Sequence, residues 1–357
     1  MKEIYLDNAA TTKAYKEIVR VIDKTLINDY GNPSSIHSKG ENAKKLIDEA
    51  RKKIANEIKA KPKEIYFTSG ATESNNLAVF GLAKANPSKK TIILSEIEHP
   101  SITEPCNYLK SQGYNVIKIR TKEGVIDINE LKKAIENNKD ILLVSIMHVN
   151  NVIGTIQPIE EVAKICSDKD ICFHTDAVQS FGKLDIDVRK GISLLSASGH
   201  KIGGPKGIGF LYLKDGINIE PLIYGGGQEK GLRSGTENVS GIVGIAKALE
   251  IIKKINKEKI KKLRDKMIVE LEKIGGRING SKTERIYNNI NMSFVVDSDL
   301  IVQYLSNKGV YVSTGSACES KKEKNDSGVR ITLNEETTEY DINRVIKEIK
   351  WIIALSV

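Results

Sequence analysis

From Glu64 onward the chain alternates short apolar runs with longer stretches of helical periodicity. Ile65-Tyr66-Phe67, residues 91–94, 141–146, Ile171-Cys172-Phe173, 193–197 and Gly209-Phe210-Leu211-Tyr212 are too short for helices and predict strands. Helices are expected from Glu73, from about Pro100 and from Pro158, since proline favours the first helical turn. Apolar strands separated by helices predict βαβ units and a mostly parallel sheet covered on both faces. After Asn238 the texture changes. Long helical periodicity runs to about Lys273, followed by a strand at 290–296, a helix at 299–307, a strand at 328–332 and a last helix from Thr337. The expected organisation is an N-terminal segment 1–14 packing on a small domain, a large α/β domain 15–254 and a smaller α+β domain 255–357.

Composition narrows this picture without changing it. A chain of 357 residues, 40% of them hydrophobic, exceeds the size at which a single core stops growing and is not disordered. Met1 to Asp7 has no apolar stretch after a basic start, and no apolar run reaches membrane-spanning length, so a cytoplasmic protein is expected. The formal charge of +9 is spread over helices in which lysine and glutamate mix, as in residues 253–262. With few aromatics and no nucleic-acid motif, direct nucleic-acid binding is not expected. The four cysteines form no CxxC pair and no zinc spacing, so no metal site is expected. Cys106, Cys166 and Cys172 sit among apolar residues and read as small core side chains. Cys318 differs, because Ser313 to Ser320 is polar and Lys321-Lys322 follows, a setting that favours thiolate.

The chemistry is concentrated at predicted strand ends, where open α/β sheets place ligands. Lys201 closes Ser198-Gly199-His200-Lys201, and Asp176 closes the neighbouring run. An amine able to form a Schiff base, with a carboxylate one strand away to keep a pyridine nitrogen protonated, is what pyridoxal phosphate requires. Thr68 to Asn75 links a strand to a helix whose first amides, with Ala71 and Thr72, can hold a phosphate. An ordinary Ser/Thr helix cap accounts for that segment equally well when taken alone. Ser198 and His200 offer further phosphate donors. His99 can stack on a pyridine ring, and Asn151 and Gln179 suit its phenolic oxygen. The glycine-rich stretch 225–238 predicts a shaped loop in which Arg233 and Thr236 can bind an anion, with a flexible surface loop as the alternative. Arg330 lies in an apolar strand and needs a partner, either a substrate carboxylate or a structural carboxylate.

Taken in order, these segments resemble the cysteine desulfurases of the NifS/IscS type within the fold-type I pyridoxal phosphate enzymes. The matching motifs are Tyr5-Leu6-Asp7-Asn8-Ala9-Ala10-Thr11-Thr12, Gly31-Asn32-Pro33-Ser34-Ser35-Ile36-His37, the Thr68–Asn75 loop, Glu98-His99-Pro100 and Met147-His148-Val149-Asn150-Asn151. They continue through Asp176 and Gln179, Ser198 to Lys201, the glycine loop to Thr236, Ser316-Ala317-Cys318 and Arg330. The resemblance implies a large domain with a seven-stranded, mostly parallel sheet between helices, a small C-terminal domain and a homodimer. It implies that Lys201 binds the cofactor and moves the substrate α-proton, Asp176 pairs with the ring nitrogen, His99 stacks on the ring and Gln179 meets the phenolate. Ala71, Thr72, Ser198 and His200 would hold the phosphate, with Thr236 arriving from the second subunit. Asn8, Asn151 and Arg330 would bind substrate, and Cys318 would take sulfur from L-cysteine as a persulfide and pass it to an acceptor protein, leaving L-alanine.

Three departures from the family pattern bear on that acceptor and on whether activity needs a partner. Only 12 positions separate Cys318 from Arg330, shorter than usual for the Ser-Ala-Cys type. Val152 stands where an acidic residue is usual after the paired asparagines, and Asn334-Glu335 where glycine-arginine is usual. The chain also ends at Val357, soon after the last helix, without the tail that relatives use to dock a scaffold protein. The rivals are a selenocysteine lyase, another pyridoxal phosphate lyase or aminotransferase, and a partner-dependent sulfur-transfer subunit.

Overall fold

The computed structural model describes residues 2–315 and 328–355. Seven strands form the main sheet: β1 (Ile65–Thr68), β2 (Thr91–Ser95), β3 (Asn115–Ile119), β4 (Ile141–Ser145), β5 (Phe173–Asp176), β6 (Leu194–Ser198) and β7 (Gly209–Leu213). Their spatial order is β1-β7-β6-β5-β4-β2-β3. Only β7 runs against its neighbours, so β1, β2, β4, β5 and β6 all end on the same edge. Both faces are buried: Ile93, Leu195 and Phe210 belong to one core, while Ile92, Leu194 and Leu211 belong to another. This two-sided burial is why the strands read as continuous apolar runs.

The apolar pattern found six of these strands and missed β3, an edge strand carrying exposed Asn115 and Lys118. It also placed the fifth strand too early. His174 and Thr175 are completely buried inside β5, where the imidazole is satisfied by Ser145 Oγ at 2.9 Å and Ser196 Oγ at 3.0 Å. Pro158 precedes the helix Ile159–Ser167 as its N-cap rather than opening its first turn.

The long periodic stretch after Asn238 is two helices, Val239–Ile252 and Lys257–Lys273. The first packs against the large sheet's core, and the second against a separate core around a four-stranded sheet. That sheet consists of β8 (Arg277–Ile278), β9 (Asn289–Ser293), β10 (Ser313–Thr314) and β11 (Val329–Thr332), ordered β8-β9-β11-β10. The helices Ser298–Asn307 and Glu339–Leu355 complete the unit. Ile4–Tyr5 pairs in parallel with Val310–Tyr311, and Ile4 and Leu6 are buried in the same core. The chain start therefore belongs physically to its C-terminal part, and residues 7–12 run from there to the edge of the large sheet. Among the described residues no helix is long and apolar enough to cross a membrane.

Candidate active site

The common edge of β1, β2, β4, β5 and β6 opens onto a cavity of about 490 Å³. Ala71, Thr72, His99, Asn151, Asp176, Gln179, Ser198, His200 and Lys201 all line it, so the fold gathers residues spread over 131 positions of sequence (201 − 71 + 1). Each arrives the same way, on the last residue of a parallel strand or within the first few residues after one. Gly209 permits this crowding: a Cβ there would lie 2.5 Å from Ala197 O and 2.7 Å from Gly70 Cα, so the phosphate-type loop can sit against β7 only if that residue has no side chain.

Lys201 ends a single 3₁₀ turn after β6, Gly199–Lys201. Its Nζ donates to Ala9 O at 2.6 Å and Ala10 O at 2.7 Å. Gln179 Nε2 donates to the same Ala9 carbonyl at 2.9 Å. Asp176 is 4% exposed, and its oxygens accept from Asn75 Nδ2 and from Val178 N, each at 2.9 Å. Two donors leave carboxylate lone pairs for a cationic N–H.

His99 is the N-cap of the helix Pro100–Ser111. Its Nδ1 accepts from Ser101 N at 3.1 Å and lies 2.7 Å from Ser101 Oγ. An Nδ1 that accepts a backbone N–H carries no proton, so the neutral ring is protonated at Nε2. Burial is the main influence lowering its pKa, Asp176 opposes it, and Lys201 adds to the lowering. His200 is pushed down to about 4 by burial and by Lys201, Lys206 and Lys183, and its Nδ1 sits 3.1 Å from Thr11 Oγ1. Both imidazoles are neutral near pH 7, suited to stacking and hydrogen bonding rather than to charge pairing.

Two expected substrate residues adjoin the cavity instead of lining it. Arg330 Nη1 donates to the Asn151 carbonyl at 3.1 Å from the small domain. Asn8 donates to Thr332 O at 2.7 Å, and its buried Oδ1 has no partner among the described residues. Thr236 is exposed in a separate cleft with Glu237 and so is not brought to this chain's cavity. Arg233, expected to take an anion, is committed to Glu73 at 3.0 Å, because a half-buried guanidinium takes the nearest carboxylate. Cys318 lies outside the described residues. Sequence reasoning gave Asn75 and Ser101 no role, yet they link Asp176 to His99. Their positions, three residues past Thr72 and two past His99, were the available signal.

The edge-of-sheet cavity, with a lysine and a carboxylate on neighbouring strands, defines a class. The Aminotransferase class-V family model matches residues 4–345. Within that class, a cysteine desulfurase IscS from Dictyoglomus turgidum is 45% identical over 99% of this chain and 95% of its own length. Another from Methanosarcina thermophila is 43% identical, over 99% and 92% respectively. A solved NifS-like protein superposes with a TM-score of 0.93 at 36% identity, covering 99% of this chain and all of its own. The chain belongs to the cysteine desulfurase family, a family of pyridoxal phosphate enzymes.

Proposed function

We propose that this chain is an L-cysteine desulfurase that binds pyridoxal phosphate through Lys201 and carries sulfur on Cys318. The observation that bears most weight is the facing of the Lys201 amine and the Asp176 carboxylate into one cavity from adjacent strands. The residues present fit the cofactor. Asp176 has lone pairs to spare for a ring N–H, neutral His99 offers a flat face, and Ala71, Thr72, Ser198 and His200 line the same cavity and offer donors for a phosphate. Pyridoxal phosphate, when bound, supplies an electron sink for the bond-breaking at the substrate α-carbon.

The chain's own residues do the rest. Lys201 Nζ, released from the Ala9 and Ala10 carbonyls, takes and returns the substrate α-proton. Asn151 and Arg330 orient the substrate carboxylate. The Cys318 thiolate attacks the substrate sulfur, and the C–S electron pair goes to carbon, which gains a proton to give L-alanine. The sulfur stays on Cys318 as a persulfide. Thr236, exposed on its glycine-rich loop, is assigned to the partner's phosphate site in a homodimer. Exposed Leu26, Ile27, Tyr30 and Ile36 support such an interface, Ile36 being 95% exposed. Sulfur would pass to a cytoplasmic acceptor protein for iron–sulfur assembly or thiolation.

The experiment compares alanine release from L-cysteine by wild type and Cys318→Ala. Loss of release in the variant, with a persulfide mapped to Cys318 in wild type, supports the assignment. Equal release in both removes Cys318 from the mechanism.

A further inference from the structure

Arg330 is a buried cation whose donors are unequally used; its side chain is 7% exposed. Nη2 donates to Asp7 Oδ1 at 2.8 Å and Nη1 to Asn151 O at 3.1 Å, while Nε is buried without an acceptor among the described residues. Nε and Nη2 share one edge of the planar fork, an edge that can grip a carboxylate with two parallel N–H bonds. Asp7 holds one end of that edge with a single oxygen, and the other end, Nε, is buried with no acceptor among the described residues.

Asp7 is itself fixed. Its Oδ1 also accepts from Ser313 Oγ at 2.9 Å, and its backbone bridges Thr332 in parallel. Leu6 N donates to Tyr311 O at 2.8 Å, and Thr332 N donates to Leu6 O at 2.6 Å. The carboxylate thus hangs on backbone tied to strands on two sides. A guanidinium this deeply buried needs a neighbouring negative charge to remain there when no substrate is bound.

We propose that Asp7 is a positioning residue that neutralises Arg330 and holds its guanidinium so that the unpaired Nε N–H is kept for the α-carboxylate of the amino-acid substrate. This rests on Arg330 as the carboxylate ligand proposed above. Asp7 acts only through the arginine: it keeps the fork in plane, and its one-oxygen grip leaves the second donor free. Preference for a carboxylate over the matching carboxamide should therefore depend on Asp7, because a neutral amide cannot return a charged acceptor to the free Nε N–H.

The test uses the holoenzyme with Asp7→Asn, Asp7→Glu, Arg330→Ala and the Asp7→Asn/Arg330→Ala double variant. Two ratios are read: kcat/KM for L-cysteine over L-cysteinamide, and the dissociation constants of L-alanine and L-alaninamide from the change in visible absorption. Asp7→Asn should reduce the carboxylate preference about tenfold, chiefly through KM and L-alanine affinity, as a misoriented binding group does. Asp7→Glu should restore part of it, and in the Arg330→Ala background Asp7→Asn should change it by less than about twofold. Equal losses on acid and amide would mean a merely structural role and overturn the proposal. So would tighter L-alanine binding in Asp7→Asn, which would make Asp7 a competitor for the arginine. A preference lost in Arg330→Ala but intact in Asp7→Asn overturns the role of Asp7 alone. A preference intact in Arg330→Ala overturns the Arg330 assignment and the proposal with it.

Discussion

Asn75 Nδ2 donates to Asp176 Oδ2 across 2.9 Å, and the same amide nitrogen donates to Ser101 Oγ at 2.8 Å. Ser101 in turn directs its hydroxyl proton to His99 Nδ1. One amide on the helix after β1 therefore fixes both the carboxylate at the end of β5 and the imidazole after β2. A buried polar chain of this kind sets orientation more firmly than any one bond in it, with Asn75 Oδ1 the one atom of the amide that has no partner among the described residues.

Replacing Asn75 by Ala removes one of the two donors that hold Asp176. A hydrogen bond to a buried charged group contributes about 1.5–3 kcal/mol, so cofactor affinity should fall at least about tenfold. Absorbance titration of the apoprotein with pyridoxal phosphate measures this. An unchanged dissociation constant would show that Val178 N alone holds the carboxylate.

Ser101→Ala deletes a donor that favours the unprotonated Nδ1 of His99. The imidazole pKa, which burial holds below its ordinary range, should then rise part of the way back, since the protonated form no longer has to displace that donor. The acid limb of the kcat/KM profile should move to higher pH, and the nitrogen chemical shifts of His99 should report the same displacement. A limb that stays in place would separate His99 from the titration that controls activity.

Glu98 is fully buried and pushed up to about 8, mainly by burial, with Asp176 raising it further against the donors Ser95 and Met147 N. The folded chain thus keeps a proton that the unfolded chain loses above pH ~4.5, so stability falls as pH rises from there to about 8. Glu98→Gln keeps an acceptor for Ser95 Oγ and Met147 N but cannot ionise. Its urea midpoint should match wild type at about pH 4 and exceed it at pH 8, by up to a few kcal/mol in stability. Parallel curves for the two proteins would contradict the buried acid.

Arg285 ties the small domain to the loop behind Asn151. It donates to Ile153 O at 2.6 Å and Ser281 O at 2.9 Å, and also to Asn279 O. Asn289 and Asn291 reach Val152 O at 3.4 and 3.3 Å, so small-domain side chains hold consecutive carbonyls of one turn. Arg285→Ala takes the donor from one buried and two part-buried carbonyls and should cost about 2–4 kcal/mol in urea unfolding while raising KM for L-cysteine. Loss of stability with KM unchanged would confine Arg285 to holding the fold.

Motif residues after parallel strands were legible from sequence because each sits where an apolar run stops, and the structure places Lys201, Asp176, His99 and Gln179 around one cavity. Three kinds of feature were not. Edge strand β3 carries too much polarity to show as a strand, and β5 hides a buried polar residue, His174, that serines of the neighbouring strands satisfy. The partners of Arg330 and Arg233 are set by folding: Asp7 is 323 positions away and Glu73 is 160, distances that no local pattern encodes.

The most direct measurement is borohydride reduction of the pyridoxal phosphate-loaded protein followed by peptide mass mapping. A reduced pyridoxyl adduct on Lys201, lost in Lys201→Ala, is the result predicted. No adduct, or an adduct on another lysine, would contradict the assignment of this cavity.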